Sequence, residues 1–192
     1  YEDDDSNDPY QLMSDAGDPL LYIAQSGLLG KSLPTHRSIY ESPISAYKMK
    51  GKVLQVPLIF ENEEFLVKKV YTFSEGSYEI GTSFEILNKS QNNINPTAYF
   101  QFIHDGESNQ GSTFMPTYTG TAYYTNNEHF QKISFGDVES SPFTLDSNNG
   151  WIGIIQRYFA SSWILSSKEN REFFSKEITS NTYASGLKAG LS

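Results

Sequence analysis

Cysteine is absent from the 192 residues, which removes disulfides, thiolate catalysis and cysteine-based zinc sites together. Its absence leaves the compartment open, because oxidising and reducing spaces both accommodate such a chain. Long apolar runs are missing as well. The longest are Val56–Phe60 and Trp151–Ile155, against the about 20 residues a membrane-spanning helix needs. The N-terminus is acidic where a secretory leader would place a basic segment before an apolar one, so no signal peptide is expected. Charged residues make up only 19%, and no cluster of Lys and Arg offers a phosphate-binding face, which argues against nucleic acid as a partner.

What is abundant is aromatic: 13 Tyr, 13 Phe and 2 Trp, 15% of the chain. A chain of this size buries roughly 70% of its unfolded surface, so it needs no covalent staples. The net charge of −9 is unevenly spread. Residues 1–18 hold Glu2, Asp3, Asp4, Asp5, Asp8, Asp15 and Asp18 without a single Lys or Arg. Beyond them, 16 acids face 14 bases, a net of −2. The acidity therefore belongs to a segment, 1–18, expected to be a flexible tail, and 19–192 is expected to form one near-neutral domain.

Periodicity assigns that domain to strand. Tyr78, Ile80, Thr82, Phe84 and Ile86 alternate with Glu79, Gly81, Ser83 and Glu85, a period of two that a helix would scatter around its axis. Phe65–Phe73 precedes this run, and Ser74-Glu75-Gly76-Ser77 between them has the composition of a hairpin turn. Leu20–Gln25, Lys52–Phe60 and Thr97–Ile103 read as further strands, with Pro57 confined to an edge or bulge because it cannot donate to a ladder. Asn88–Pro96 and His104–Thr113 read as loops. Thr121–Tyr124 and His129–Phe135 make a second hairpin, Gly150–Leu165 one or two strands, and Arg171–Ile178 with Thr182–Ala189 the last pair. Closely spaced strands without amphipathic helices mean an all-β sandwich or barrel.

Chemistry is sparse. His36, His104 and His129 share no HxH or HxxxH spacing, so they are expected to be solvated or on strand edges rather than zinc ligands. Asp146-Ser147-Asn148-Asn149-Gly150 is one residue too short before its glycine for a calcium loop and reads as a plain turn. No nucleophile elbow or phosphate loop is present. Asp105, Glu107 and Glu128 are the loop acids available for paired-carboxylate chemistry, though loop acids ordinarily just solvate a surface. Asn88-Lys89-Ser90 fits a glycosylation sequon, relevant only in a eukaryotic secretory setting. No catalytic residue, metal or cofactor is assigned, and the chain reads as a non-enzyme.

Four segments carry a family resemblance. Gly150-Trp151-Ile152-Gly153-Ile154-Ile155-Gln156-Arg157-Tyr158-Phe159-Ala160-Ser161-Ser162-Trp163-Ile164 is similar to a "GGWVAMLQQYFATAWI" stretch. Gly120–Thr125, with Glu128–Lys132 and Phe135, is similar to "GAAYST…EKYEKYKF". Gln25-Ser26-Gly27-Leu28 matches "AQSGL", and Val67–Asn88 follows a "KTFTFKRGSYxVxVxYxxxN" pattern. In this order, over about residues 20–190, they resemble the large periplasmic domain of bacterial YidC insertases, of the YidC/Oxa/Alb family. Compared with that pattern, strand sequence before the matched region and strand plus helix after it are missing, and the loop from His104 to Pro116 is short. A fragment with incomplete sheet edges is therefore expected.

The resemblance implies a twisted antiparallel β-super-sandwich with little helix, similar to galactose mutarotase and carbohydrate-binding folds. It implies the periplasmic face of a Gram-negative inner membrane and a parent protein that inserts, folds and assembles membrane proteins, alone or with the Sec translocon. SecD and SecF are the implied partners of the domain, and nascent membrane proteins those of the absent transmembrane part. If a partner surface exists, Tyr123, Tyr124, Trp151, Tyr158, Phe159 and Trp163 are its candidates, since aromatics dominate interface hot spots. Packing between the two sheets is the competing expectation for the same residues. The alternative function is a carbohydrate-binding or mutarotase-like module, which needs a convergent His and carboxylate; His104 with Asp105 or Glu107 is the local candidate.

Overall fold

The computed structural model describes residues 12–15, 21–106, 118–156, 159–164 and 169–190. Among them strand accounts for 57% and helix for 4%, in three antiparallel sheets, so the class is all-β. The strands are β1 Tyr22–Leu29, β2 Val53–Glu61, β3 Phe65–Ser74, β4 Ile80–Asn88, β5 Thr97–His104, β6 Gly120–Thr125 and β7 His129–Ile133. A helix α1, Phe135–Ser140, precedes β8 Phe143–Ser147, β9 Trp151–Ile155, β10 Ala160–Ile164, β11 Arg171–Thr179 and β12 Thr182–Gly190. Contacts divide the chain into two compact units, one taking in the chain up to Ser26 with Ala98–Gly190, the other centred on Gly27–Thr97.

The first unit is a two-layer sandwich. One layer has the order β1-β5-β12-β11-β8, the other β10-β9-β6-β7. Three hydroxyls tie the layers: Thr121 Oγ1 lies 3.0 Å from Ser175 Oγ and 2.7 Å from Ser185 Oγ, and the two serines are 2.7 Å apart. All three residues are fully buried. They also fix which strand faces point inward. Side chains alternate along a strand, so Thr121 and Tyr123 of β6 face the core, as do Ile152 and Ile154 paired to them on β9. Around this level pack Tyr22, Phe102, Phe135, Val138, Ile154 and Tyr183, with Trp163 against them. Phe135 stacks on Tyr183 at 4.5 Å and Trp163 on Phe102 at 5.3 Å, spacings at which offset aromatic pairs gain beyond their buried area. A smaller cluster, Ile103, Phe174 and Ala184 with Leu21 and Ile23, covers the other face of the larger sheet.

Several expectations need correction. Phe135 does not close a strand but opens α1, where Ser134 and Asp137 form a reciprocal capping box and Phe135 and Val138 are the buried side chains. Six residues are too few for a periodic signal, so the cap was its one legible trace. β8 has no counterpart among the expected strands, and its Asp146 and Ser147 fall in the expected turn; its Phe143 and Leu145 alternate inward against β11. His104 is neither solvated nor on an edge strand: it ends β5, an interior strand, at 1% exposure. Of the acidic segment, residues 12–15 are described, and Ser14 there exchanges two backbone hydrogen bonds with Tyr22.

The second unit holds the sheet β2-β3-β4. Its hairpin turns through Gly76 at φ +73°, a conformation glycine adopts without a Cβ penalty. Pro57 lies on edge strand β2, as its missing N–H requires. In the middle strand Lys69 is 6% exposed, with its ammonium over the rings of Tyr40, Tyr71 and Phe84 at 5.8, 5.1 and 5.7 Å. Cation–π attraction to three rings offsets part of the cost of taking that charge out of water.

Candidate partner surface

Cross-strand register places the candidate aromatics. Tyr124 on β6 stands opposite both Phe130 of β7 and Trp151 of β9, and Trp151 stands opposite Ile164 of β10. Directly paired residues point to one side of an antiparallel sheet, and Tyr124 has the opposite parity to Thr121. Phe130, Tyr124, Trp151 and Ile164 therefore form one row across all four strands, on the face turned away from the interlayer core. Phe130 is 47% exposed and Ile164 64% exposed, with Tyr124 and Trp151 half-buried between them. The Phe130 and Trp151 rings sit 6.1 Å apart, and Tyr124 lies 6.4 Å from the ring of His129.

The remaining candidates sit elsewhere. Tyr123 is buried against Phe143 of the facing layer at 5.0 Å, where burial raises its phenol pKa, with Glu128 adding to the rise. Trp163 packs inward on Phe100 and Phe102. Phe159 is 38% exposed at the β9–β10 turn, where its carbonyl accepts from Gln156 N–H; that turn is four residues along β9 from the row. Tyr158 lies outside the described residues. Sequence reasoning missed Phe130 and Ile164, which become visible only once pairing sets them beside Tyr124 and Trp151.

The one histidine–carboxylate pair named for sugar chemistry is inside the fold. His104 stacks on Phe135 at 5.2 Å and tilts against Tyr22 at 5.4 Å. Its Nδ1 accepts from Gly106 N–H at 3.0 Å, and the Gln156 side-chain amide reaches Nε2 at 3.2 Å. A neutral imidazole carries one proton; with Nδ1 accepting, that proton sits on Nε2, and the carbonyl end of the amide is the end that matches it. Burial pushes the imidazole pKa below its ordinary 6.5, with Asp105, 3.4 Å away, partly opposing the shift. Asp105 in turn accepts the Leu21 N–H at 2.7 Å. Neighbouring Tyr22 is pushed by burial up to about 12, with Ser161 as its polar neighbour. Every contact serves packing: a 1% exposed ring presents no edge to a substrate. Glu107 lies outside the described residues, and Glu128 sits in the β6–β7 turn with its N–H on Thr125 Oγ1.

Among the described residues no group of three or more His, Asp or Glu is placed to hold a metal. Of the segment expected to be a turn, Asp146 and Ser147 end β8 and the chain bends at Asn148 and Asn149, where Asn149 N–H donates to Ser147 Oγ and Gly150 takes φ +95°. No described helix is long and apolar enough to cross a membrane.

The family model for the YidC periplasmic domain matches residues 1–191. The chain belongs to the YidC periplasmic domain family. Its match takes in the acidic N-terminal segment as well as the four motif regions. A protein of Methylobacillus flagellatus named membrane protein insertase YidC is 39% identical over 188 residues, 96% of this chain and 34% of that protein. Proteins of the same name from Nitrosospira multiformis and Thiobacillus denitrificans are 38% and 34% identical, over 96% and 97% of the chain. The chain thus spans about a third of the length of these relatives. In this YidC periplasmic domain the described residues bring together an aromatic row, two buried polar clusters and no assembled catalytic group.

Proposed function

We propose that this chain is the non-catalytic periplasmic portion of an inner-membrane insertase, and that it acts by presenting a rigid sheet surface to protein partners. The parent protein inserts, folds and assembles membrane proteins, alone or with the Sec translocon, and SecD or SecF meets the domain at the row Phe130, Tyr124, Trp151 and Ile164. The observation that carries this reading is the row itself. Four large apolar side chains in one line on an outward sheet face cost solubility unless something covers them, and Trp and Tyr anchors dominate contact energies. A photo-crosslinking residue at Phe130 in the full-length protein tests it in cells. Capture of SecD or SecF, reduced in a Trp151→Ala background, is the expected result. Equal capture with and without Trp151, or none while a residue at the β3–β4 turn captures the same component, would move the partner surface elsewhere.

A further inference from the structure

Asn149-Gly150 is the chain's one Asn-Gly pair. A glycine after an asparagine puts no Cβ beside its own backbone nitrogen, which leaves that nitrogen open to the preceding side-chain amide. The chemistry that follows needs water and no other reactant. The Gly150 nitrogen gives up its proton and bonds to Asn149 Cγ; the Cγ–Nδ2 bond breaks, and ammonia leaves carrying that proton. The five-membered succinimide that remains takes up one water at either carbonyl. Opening at one gives aspartate. Opening at the other gives isoaspartate, in which the main chain runs through Cβ and Cγ.

Packing keeps this pair in place. Gly150 takes φ +95°, and a Cβ there would lie 1.8 Å from the Tyr124 carbonyl oxygen, so the approach of β6 to the start of β9 admits no larger residue. Asn149 is committed in turn. Its Oδ1 accepts the Asn126 N–H of the β6–β7 turn at 2.7 Å, and its Nδ2 donates to Asn148 Oδ1 at 2.8 Å. Its own N–H donates to Ser147 Oγ at 3.3 Å, and its carbonyl accepts from the same hydroxyl at 2.9 Å. Four bonds thus hold the side chain and the main chain of this half-buried residue in one arrangement. Ring closure requires Cγ and the Gly150 nitrogen to meet within about 3–3.5 Å, with the amide face turned to the nitrogen. Expelling ammonia also breaks the Nδ2 bond to Asn148.

We propose that Asn149 is a self-modification site, held unreacted by this clamp in the folded chain and converted to aspartate and isoaspartate once the β6–β7 and β8–β9 turns part. The clamp keeps the amide out of the attack geometry, so the reaction waits on local opening rather than on the intrinsic lability of the pair. Its product then makes the opening permanent. Isoaspartate lengthens the main chain by one methylene directly before Trp151, the first residue of β9, and dislodges the β8–β9 turn from Asn126. The modification is a chemical record that this end of the smaller sheet has come apart.

Peptide mapping by mass spectrometry after incubation in mildly alkaline buffer is the test, with isoaspartate counted by enzymatic methylation. The 192-residue chain is compared folded and unfolded in guanidinium. Asn149 should convert in both, at least about tenfold more slowly in the folded chain. Ser147→Ala removes two of the four bonds and should speed conversion of the folded chain. Should Ser147→Ala fail to fold, the ratio of unfolded to folded rates in the parent chain decides alone. A folded chain that converts as fast as the unfolded one, an unfolded chain with no conversion at Asn149, or a folded Ser147→Ala no faster than its parent would each overturn the clamp.

Discussion

Lowering the pH should destabilise this domain through His104. The imidazole is held neutral by burial, and Nδ1 is committed as an acceptor to Gly106 N–H, so the folded state resists a proton that the unfolded state takes up readily. The folded pKa lies below the unfolded 6.5. The unfolded state therefore binds more protons in the window beneath 6.5, and stability falls as pH falls through it, levelling off only below the folded value. One proton per molecule sets the ceiling at about 1.4 kcal/mol per pH unit. Between about pH 7.5 and about pH 5.5 the loss is bounded at roughly 1.4 kcal/mol, the limit for a folded ring that takes up no proton.

Urea unfolding followed by tryptophan fluorescence at several pH values measures this, since Trp163 packs against the same core as His104. The His104→Gln variant supplies the subtraction. His36, in the other unit, is also shifted down, by desolvation first and then by Arg37 and Lys69, so it contributes a slope of the same sign that the variant leaves intact. A difference between wild type and variant that grows below about pH 6.5 is expected. Parallel curves, or an NMR titration placing His104 at or above 6.5, would refute the reasoning.

The hydroxyl trio makes a sharper packing test. Ser185→Ala removes two of the trio's three hydrogen bonds, leaving Thr121 and Ser175 with only each other, and should cost about 1–3 kcal/mol, whereas Thr121→Val with Ser175→Ala and Ser185→Ala should cost less than the sum of the single changes. Gly186→Ala drives a Cβ to 2.0 Å from the Phe100 carbonyl of the neighbouring strand, so a loss of about 3 kcal/mol or failure to fold is expected in thermal melts. Ser134→Ala removes the acceptor for Asp137 N–H at the start of α1 and should cost about 1 kcal/mol by the same measurement.

Much of the fold was legible because strand periodicity is local. Ile80–Asn88 alternates, Gly76 marks its turn, and Pro57 named its own edge before any pairing was known. Lys69 shows where locality ends: it interrupts an apolar face, and the rings of Tyr40, 29 residues earlier in sequence, and of Tyr71 and Phe84 gather around the cation there. His104 is similar. Its neighbours His-Asp-Gly read as turn, and nothing local announces Tyr22, Phe135 and Gln156 converging on it.

The aromatic candidates are illegible in sequence for a different reason. Tyr123 and Tyr124 are adjacent and chemically alike, so composition cannot rank one as core and the other as surface. Alternation says only that they differ in side. The deciding fact is long-range and singular: Thr121 bonds Ser175 and Ser185 of the facing layer, which sets odd residues of β6 inward. Parity then propagates without further input through the ladders, sending Ile152 and Trp163 inward with Tyr123 and leaving Phe130, Trp151 and Ile164 with Tyr124. A one-residue slip of β6 would turn that strand's side chains over, burying Tyr124 and presenting Tyr123 instead. The buried hydroxyls therefore do more than satisfy one another. They are the register pin that decides which aromatics this sheet turns outward.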